Sequence, residues 1–261
     1  MSGSLLTATR DRVRFITLNR PERHNAFDDS LIAELTCAFQ DAAADPAVRV
    51  VVLDSVGKSF SAGADLDWMR RMAGYDHQRN LADARALADL MRTIESCPKP
   101  TIAVVQGAAY GGGVGLVACC DMAVASGHAL FCLSEVKLGI IPAVISPYVV
   151  RAIGGRAARR YFQTAETFTA SKAAELGLVS EVAPADGLIE QRDRWIAQLL
   201  VNGPQAMAAA KDLAVQAAER PLDDSLRGWT AERIASLRAS DEGREGIAAF
   251  LERRKPSWIE G

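Results

Sequence analysis

The chain has 261 residues, 49% of them hydrophobic and 24% charged, which excludes a disordered, collagen-like or disulfide-scaffold protein. Lys and Arg number 30 against 32 Asp and Glu, giving a formal net charge of −2, and only 6% of residues are aromatic. Neither a basic face nor a base-stacking surface is implied, so nucleic acid is excluded as the expected partner. One stretch stands apart: from Thr101 to Cys120 no residue carries a charge.

Taken in chain order, the apolar run Val13–Leu18 predicts a strand, ended by a polar turn through Pro21 to Asn25. Asp28 or Asp29 then caps a helix carrying Leu31, Ile32, Leu35, Ala38 and Phe39 on one face, and Asp45-Pro46 ends it. The β-branched run 48–53 predicts a buried strand, followed by a small-residue loop over 57–63 and a new segment opening at Asp65. Helical spacing recurs over 81–94, closed by Pro98 and Pro100. A strand over 102–105 leads into Gly107 and the run Gly111-Gly112-Gly113-Val114-Gly115, with a buried helix opening over 116–120. The segment 123–125 is long enough only for a strand fragment. Helices are expected over 144–153, 156–163 and 170–176, the last with Gly177 as its C-cap, and a strand or turn over 179–182. Beyond about 189 the pattern is helical throughout: 189–201, 205–219, 225–237 and 242–253. Repeated strand–loop–helix units followed by a helical tail predict an α/β fold with parallel strands.

The uncharged stretch is long enough for a membrane span. Its five glycines and Gln106 argue against one, because each Gly in a helix costs about 1 kcal/mol relative to Ala. A buried strand, a tight glycine turn and a buried helix start fit better. The turn matches no phosphate-binding fingerprint: the third Gly of G-x-G-x-x-G would fall on Leu116, no Gly-Lys-Ser/Thr follows, and no G-x-S-x-G occurs anywhere. What it offers is a backbone N–H at a helix N-terminus, suited to a developing negative charge. The loop Ser59–Asp65 is a second small-residue turn after a strand and could aim another N–H at the same atom.

Five cysteines, none with C-x-x-C spacing, read as small buried hydrophobes in a reducing compartment. His24, His77 and His128 share no ligand spacing, so no metal site is expected. The first fourteen residues lack the apolar core of a signal peptide and the look of a transit peptide, which predicts a cytoplasmic protein.

Several segments together resemble one family. They are Leu18-Asn19-Arg20-Pro21 with Asn25-Ala26, the run Phe60 to Leu66, Gln106 to Gly113 continuing to Cys120-Asp121, Glu135 to Pro142, and the tail Phe250 to Arg254. The sequence is similar over nearly its whole length to the crotonase (enoyl-CoA hydratase/isomerase) superfamily. That resemblance implies a ββα spiral core over 1–188, bearing the CoA and oxyanion-hole loops. It also implies an all-helical C-terminal region over 189–261 for trimerisation and closure of the active site. The implied assembly is a homotrimer or a dimer of trimers, with an acyl-CoA thioester as partner and no membrane or nucleic-acid role. Coenzyme A is then part of the substrate; no separate cofactor is implied.

The resemblance puts the thioester oxygen between the backbone N–H groups of Ala62 and Gly112. It puts CoA near Arg23, His24, Ala26, Ala64, Asp65 and Leu66, with Phe250 and Arg253 reaching it from a neighbouring subunit. Hydratases of the family use two glutamates. One matches Glu135; the other falls on Gly115. A single carboxylate suits an isomerase that moves a double bond from β,γ to α,β, because one base can remove and return the proton. The segments 132–139, 141–148 and 155–161 instead resemble bacterial methylglutaconyl-CoA and isohexenylglutaconyl-CoA hydratases, which favours hydration of a branched, carboxylated enoyl-CoA. Arg70, Arg71, Lys137 and Arg151 are candidate cations for a distal carboxylate. A non-catalytic acyl-CoA-binding homologue is the third reading; an RNA-binding relative is disfavoured by the charge.

Overall fold

The structure, a computed structural model, describes residues 3–260, so the ends of both expected units, 1–2 and 261, lie outside the described residues. The chain opens with a strand that hydrophobic patterning does not reveal, β1 (Leu5–Arg10), paired antiparallel with β2 (Val13–Leu18). Asp11 and Arg12 turn the hairpin, both at positive φ (47° and 67°), without the Asn-Gly or Asp-Gly pair that usually signals such a turn. Helix α1 (Asp29–Ala44) is capped by Asp28, whose carboxylate accepts the Leu31 N–H at 2.9 Å, an arrangement worth about 1 kcal/mol. That settles the cap between the two aspartates.

Three turns of a spiral follow. The first is β3 (Val50–Ser55), β4 (Ser59–Ser61), α2 (Leu66–Met72) and α3 (His77–Glu95); the second is β5 (Thr101–Val105), β6 (Ala108–Tyr110) and α4 (Gly112–Cys119). The third is β7 (Met122–Ser126), β8 (Leu130–Cys132) and α5 (Ser146–Thr164), continued by β9 (Phe168–Thr169), α6 (Ala170–Leu176) and β10 (Glu181–Ala183). The first strand of each turn joins a six-stranded sheet in the order β1-β2-β3-β5-β7-β10; the second joins a four-stranded sheet, β4-β6-β8-β9. The segment 123–125 is therefore part of a full ladder strand, β7, paired with both β5 and β10. The two helices expected over 144–163 form one element, broken at Gly154, where φ 76° and ψ 152° leave the helical region.

No residue of the uncharged stretch is exposed, and most are fully buried. All five residues of β5 are inaccessible, and Gly113 to Val117 and Cys119 of α4 are buried as well. A helix with no polar face has no solvent side, and no helix among the described residues is long and apolar enough to cross a membrane. Cys97, Cys119 and Cys132 are buried as expected, whereas Cys37 is exposed and Cys120 half-buried. Burial pushes the Cys120 thiol up to about 12, so it is no thiolate at neutral pH.

The helical tail begins with α7 (Leu188–Leu200), followed by α8 (Pro204–Glu219), α9 (Asp224–Ala239), α10 (Asp241–Leu251) and α11 (Ser257–Glu260). Leu188 and Ile196 of α7 pack on Val50, Val52, Ile102, Val104 and Val124, the second face of the large sheet. The expected division at 188/189 thus falls at the start of a helix that covers the sheet, and the layer beyond it starts with α8. Lys211 on α8 ties that layer to the core through Asp121, at 2.9 Å.

Candidate active site

Two loops, far apart in sequence, meet at the head of α4. The first descends from β2 through a 3-10 turn, Pro21–Arg23, into Asn25, which is wholly buried. The Asn25 amide donates to the carbonyls of Val56 and Ser59 at 2.8 and 2.9 Å, and its oxygen accepts the Arg20 N–H at 2.8 Å. Asn25 sits at φ 54°, a left-handed conformation that Asn tolerates better than most residues. It fastens the turn to β4, and Ser61 returns a hydrogen bond from its hydroxyl to the Asn25 carbonyl. The next residue but one, Phe27, bridges to Ala64: its N–H donates to the Gly63 carbonyl at 2.7 Å, and its carbonyl accepts the Asp65 N–H at 2.6 Å.

These bonds decide which N–H groups remain open. The expectation for Ala62 is corrected here: its N–H donates to the His24 carbonyl at 2.9 Å and is not available to a ligand. The Ala64 N–H, two residues on, has no hydrogen-bond acceptor among the described residues. The Gly112 N–H is likewise open, as the first residue of a helix has no carbonyl one turn behind it. The two loops abut, since a Cβ at Gly63 would lie 3.1 Å from the Tyr110 carbonyl oxygen and 3.9 Å from the Gly111 Cα. Ala64 and Gly112 thus take the place that the sequence reading gave to Ala62 and Gly112.

Gly111 caps α4 at φ 51° and ψ −120°, a backbone few L-residues adopt, and its N–H donates to the Cys132 carbonyl at 2.8 Å. A Cβ there would also lie 3.1 Å from Oε1 of Glu135, which places that carboxylate against the glycine turn. Glu135 opens a 3-10 turn, Glu135–Leu138, just after β8; Gly139 closes it, and the Ile140 N–H returns to the Glu135 carbonyl. Its Oε2 is buried with no hydrogen-bond partner. Burial raises the Glu135 pKa above the ordinary carboxylate range, and a hydrogen bond from its own backbone opposes this only in part. A half-buried carboxyl that no protein cation compensates is of the kind that functional sites use for proton transfer.

The remaining site candidates divide. Arg23, His24, Ala26, Ala64, Asp65 and Leu66 are brought to one edge by the Phe27–Ala64 bridge. Leu66 is exposed there; Ala26 is buried, with its carbonyl accepting from Arg20. His24 Nδ1 lies 3.1 Å from the Ser59 hydroxyl. Asp65 is structural: it caps α2 through the N–H groups of Asp67 and Trp68 and pairs with Arg20 and Arg23. Burial works against its charge, but the Arg23 hydrogen bond and the two N–H groups outweigh it and hold the carboxyl below the ordinary range. Arg23 also bridges to Asp67. We expect Asp65→Ala to destabilise the protein by about 1–2 kcal/mol in urea titrations at pH 7, from loss of the cap and the ion pairs. The depressed pKa means that this stabilisation is present above the unfolded-state value and is lost as pH falls through the folded one, so the deficit shrinks in acid. Phe250 lies in the last turn of α10 and Arg253 just beyond it, and α10 packs on α8 and α9.

Sequence reasoning also missed two groups that shape the site. Phe27 packs against Gly112, whose Cβ would fall 2.4 Å from its ring, and Ile145 fills the space beside Gly115. Neither carries a signature in the sequence, since both are apolar residues among many.

Two sheets wound by repeated strand–strand–helix turns, with open N–H groups and a buried carboxyl at the head of the central helix, define the crotonase class of proteins. The enoyl-CoA hydratase/isomerase family model matches residues 8–261, and the chain belongs to that family. An enoyl-CoA hydratase structure from Shewanella pealeana superimposes with a TM-score of 0.96 at 47% identity, covering 98% of this chain and 96% of that one. One from Mycobacterium smegmatis does so with a TM-score of 0.92 at 33% identity, covering 98% and 99%. The 2,3-dehydroadipyl-CoA hydratase of Escherichia coli K12 is 34% identical over 257 residues, 98% of each chain.

Proposed function

We propose that the protein is an enoyl-CoA hydratase acting on a branched, carboxylated acyl thioester such as 3-methylglutaconyl-CoA. The observation that carries the reading is the meeting of a partnerless, buried Glu135 oxygen with two open N–H groups at the head of α4. The thioester oxygen accepts from Ala64 and Gly112, and the positive end of α4 adds to their field. Glu135 takes a proton from water as the water oxygen bonds to the β-carbon. The double-bond electrons move onto the thioester oxygen as an enolate, and Glu135 returns the proton to the α-carbon. The sum is one water added and an unchanged enzyme.

The resemblance of the segments around Glu135 to methylglutaconyl-CoA hydratases supports the branched substrate, and a relative named for a linear, carboxylated acyl group, 2,3-dehydroadipyl-CoA, supports the carboxylate. The cations narrow to one. Arg70 pairs with Asp67, Arg71 with Asp29, and Arg151 with Glu95 and Glu219. Lys137 is exposed, two residues from Glu135, with no acidic partner among the described residues. Lys137→Gln should raise KM for 3-methylglutaconyl-CoA by roughly tenfold, the lower end of a charge-assisted hydrogen bond, and leave crotonyl-CoA unaffected. Equal KM changes for both substrates would remove Lys137 from this role.

A second reading, isomerisation of a 3-enoyl-CoA to the 2-enoyl-CoA, is favoured by one observation: hydrocarbon fills the space beside Gly115, so one carboxylate serves the site. Incubation with crotonyl-CoA, 3-methylglutaconyl-CoA and a 3-enoyl-CoA, followed by thioester absorbance, separates the readings. Absorbance lost with the first two means hydration; absorbance gained with the third means isomerisation. No change with any of them makes the protein a CoA-ester binder and ends both.

We also propose that the chain works as a homotrimer or a dimer of trimers. Phe250 and Leu251 are 82% and 74% exposed at the end of α10, an apolar edge that a neighbour covers while Phe250 and Arg253 reach its CoA. Sedimentation should give three or six copies; a monomer would remove both residues from the site.

A further inference from the structure

The glycines at the head of α4 each face a different neighbour. A Cβ at Gly111 would meet Glu135, one at Gly112 Phe27, one at Gly113 Ser61, and one at Gly115 Ile145. Gly111 and Gly115 are one helical turn apart, so they share a face, and the Gly115 N–H reaches the Gly111 carbonyl at 3.4 Å. Along that face Glu135 covers the first position and Ile145 the next. The fit at the second is close: a Cβ at Gly115 would lie 2.3 Å from Ile145 Cγ2, 2.9 Å from its Cβ and 3.3 Å from Met91 Cε. Met91 is fully buried and Ile145 is 2% exposed. Branching at Cβ leaves Ile145 few rotamers, so it does not swing aside.

We propose that Ile145, wedged onto Gly115, is a specificity-determining residue that closes the position beside Glu135 to any second polar group. Proton transfer at the acyl chain then runs through Glu135 alone. The inference deepens the reading of Glu135 given above and rests on it. The wall also keeps water off the carboxyl from that side, so beside Gly115 the reacting carbons are faced by hydrocarbon and not by a second ionisable group.

The test compares Gly115→Glu, Ile145→Gly and the double variant with the parent, by thermal melting and by kcat/KM for crotonyl-CoA across pH. Gly115→Glu alone should melt lower and lose about a hundredfold in kcat/KM, because its side chain and Ile145 compete for one space. Adding Ile145→Gly should restore roughly tenfold of that loss, with a second carboxylate limb in the pH profile. Parent-like melting and activity in Gly115→Glu would overturn the proposal, and so would a double variant no better than Gly115→Glu alone. Because Ile145→Gly opens the core, Ile145→Thr gives an independent readout. It should keep the fold and move the acid limb of kcat/KM to lower pH, as its hydroxyl solvates Glu135, while Ile145→Val leaves the limb in place. An unmoved limb in Ile145→Thr also overturns it. An active Glu135→Gln enzyme would instead sink the reading of Glu135 itself.

Discussion

Glu135→Gln should lose about a thousandfold or more in kcat on the preferred thioester while KM changes little, the range expected when a positioned proton-transfer group is removed. The amide has nearly the shape of the carboxyl, so the contact with Gly111 and the turn closed by Gly139 survive, and the loss reports chemistry rather than folding. The same variant should be more stable than the parent at neutral pH. The folded-state pKa of Glu135 lies above the ordinary value because burial penalises its charge. Between the unfolded and folded pKa values the folded protein holds the extra proton, so stability falls as pH rises through that window and stays lower above it. Gln carries no charge at any pH and escapes this cost. Chemical denaturation in mildly acidic and in mildly alkaline buffer should show a larger advantage for the variant at the higher pH. In the parent, the acid limb of kcat/KM should lie above the ordinary carboxylate range and vanish in the variant. Retained turnover in Glu135→Gln would end the assignment.

The central strands of the large sheet, β3 and β5, are legible because they are buried on both faces, whereas its exposed edge strand β1 is not. The run 50–53 and the segment 102–105 have no polar residue to alternate with, the mark of parallel strands covered by helices. The small sheet was not legible. Its strands β4, β6, β8 and β9 are two or three residues long, too short for any period to show, and they lie inside what reads as loop. The site followed the same division. Glu135 and the glycine turn were visible as residue types, but which N–H stays open is set by hydrogen bonds from elsewhere. Nothing in Ser61-Ala62-Gly63-Ala64 says that the His24 carbonyl takes the first alanine's N–H and leaves the second's free. Likewise Gly115 shows in sequence that a carboxylate is missing, but not that Ile145, from the entry to α5, occupies its place. Such facts belong to packing between distant segments, which one sequence does not record.

Gly112→Pro is the other substitution with a large expected effect, and it isolates the backbone donor. Gly112 is the first residue of α4, a position where proline's fixed φ suits the helix and where no intrahelical hydrogen bond is lost. The change removes the open N–H proposed to receive the thioester oxygen, so transition-state stabilisation should drop by about 3–4 kcal/mol, or two to three orders of magnitude in kcat. Any residue with a Cβ at 112 also presses on Phe27, 2.4 Å away at Cε2, so part of the effect could come from displaced packing. Gly112→Ala supplies the correction, since it keeps the N–H and adds the same Cβ. If the donor matters, Ala should retain most of its activity relative to Pro, although both strain against the ring. The thioester carbonyl stretch of a bound, unreactive acyl-CoA gives a readout that packing alone does not move. Two donors should lower its frequency in the parent and in Gly112→Ala, and the shift should shrink in Gly112→Pro, where Ala64 is left as the single donor. Equal frequencies in all three proteins would mean that the thioester oxygen sits elsewhere, and that the open N–H at the head of α4 has another purpose.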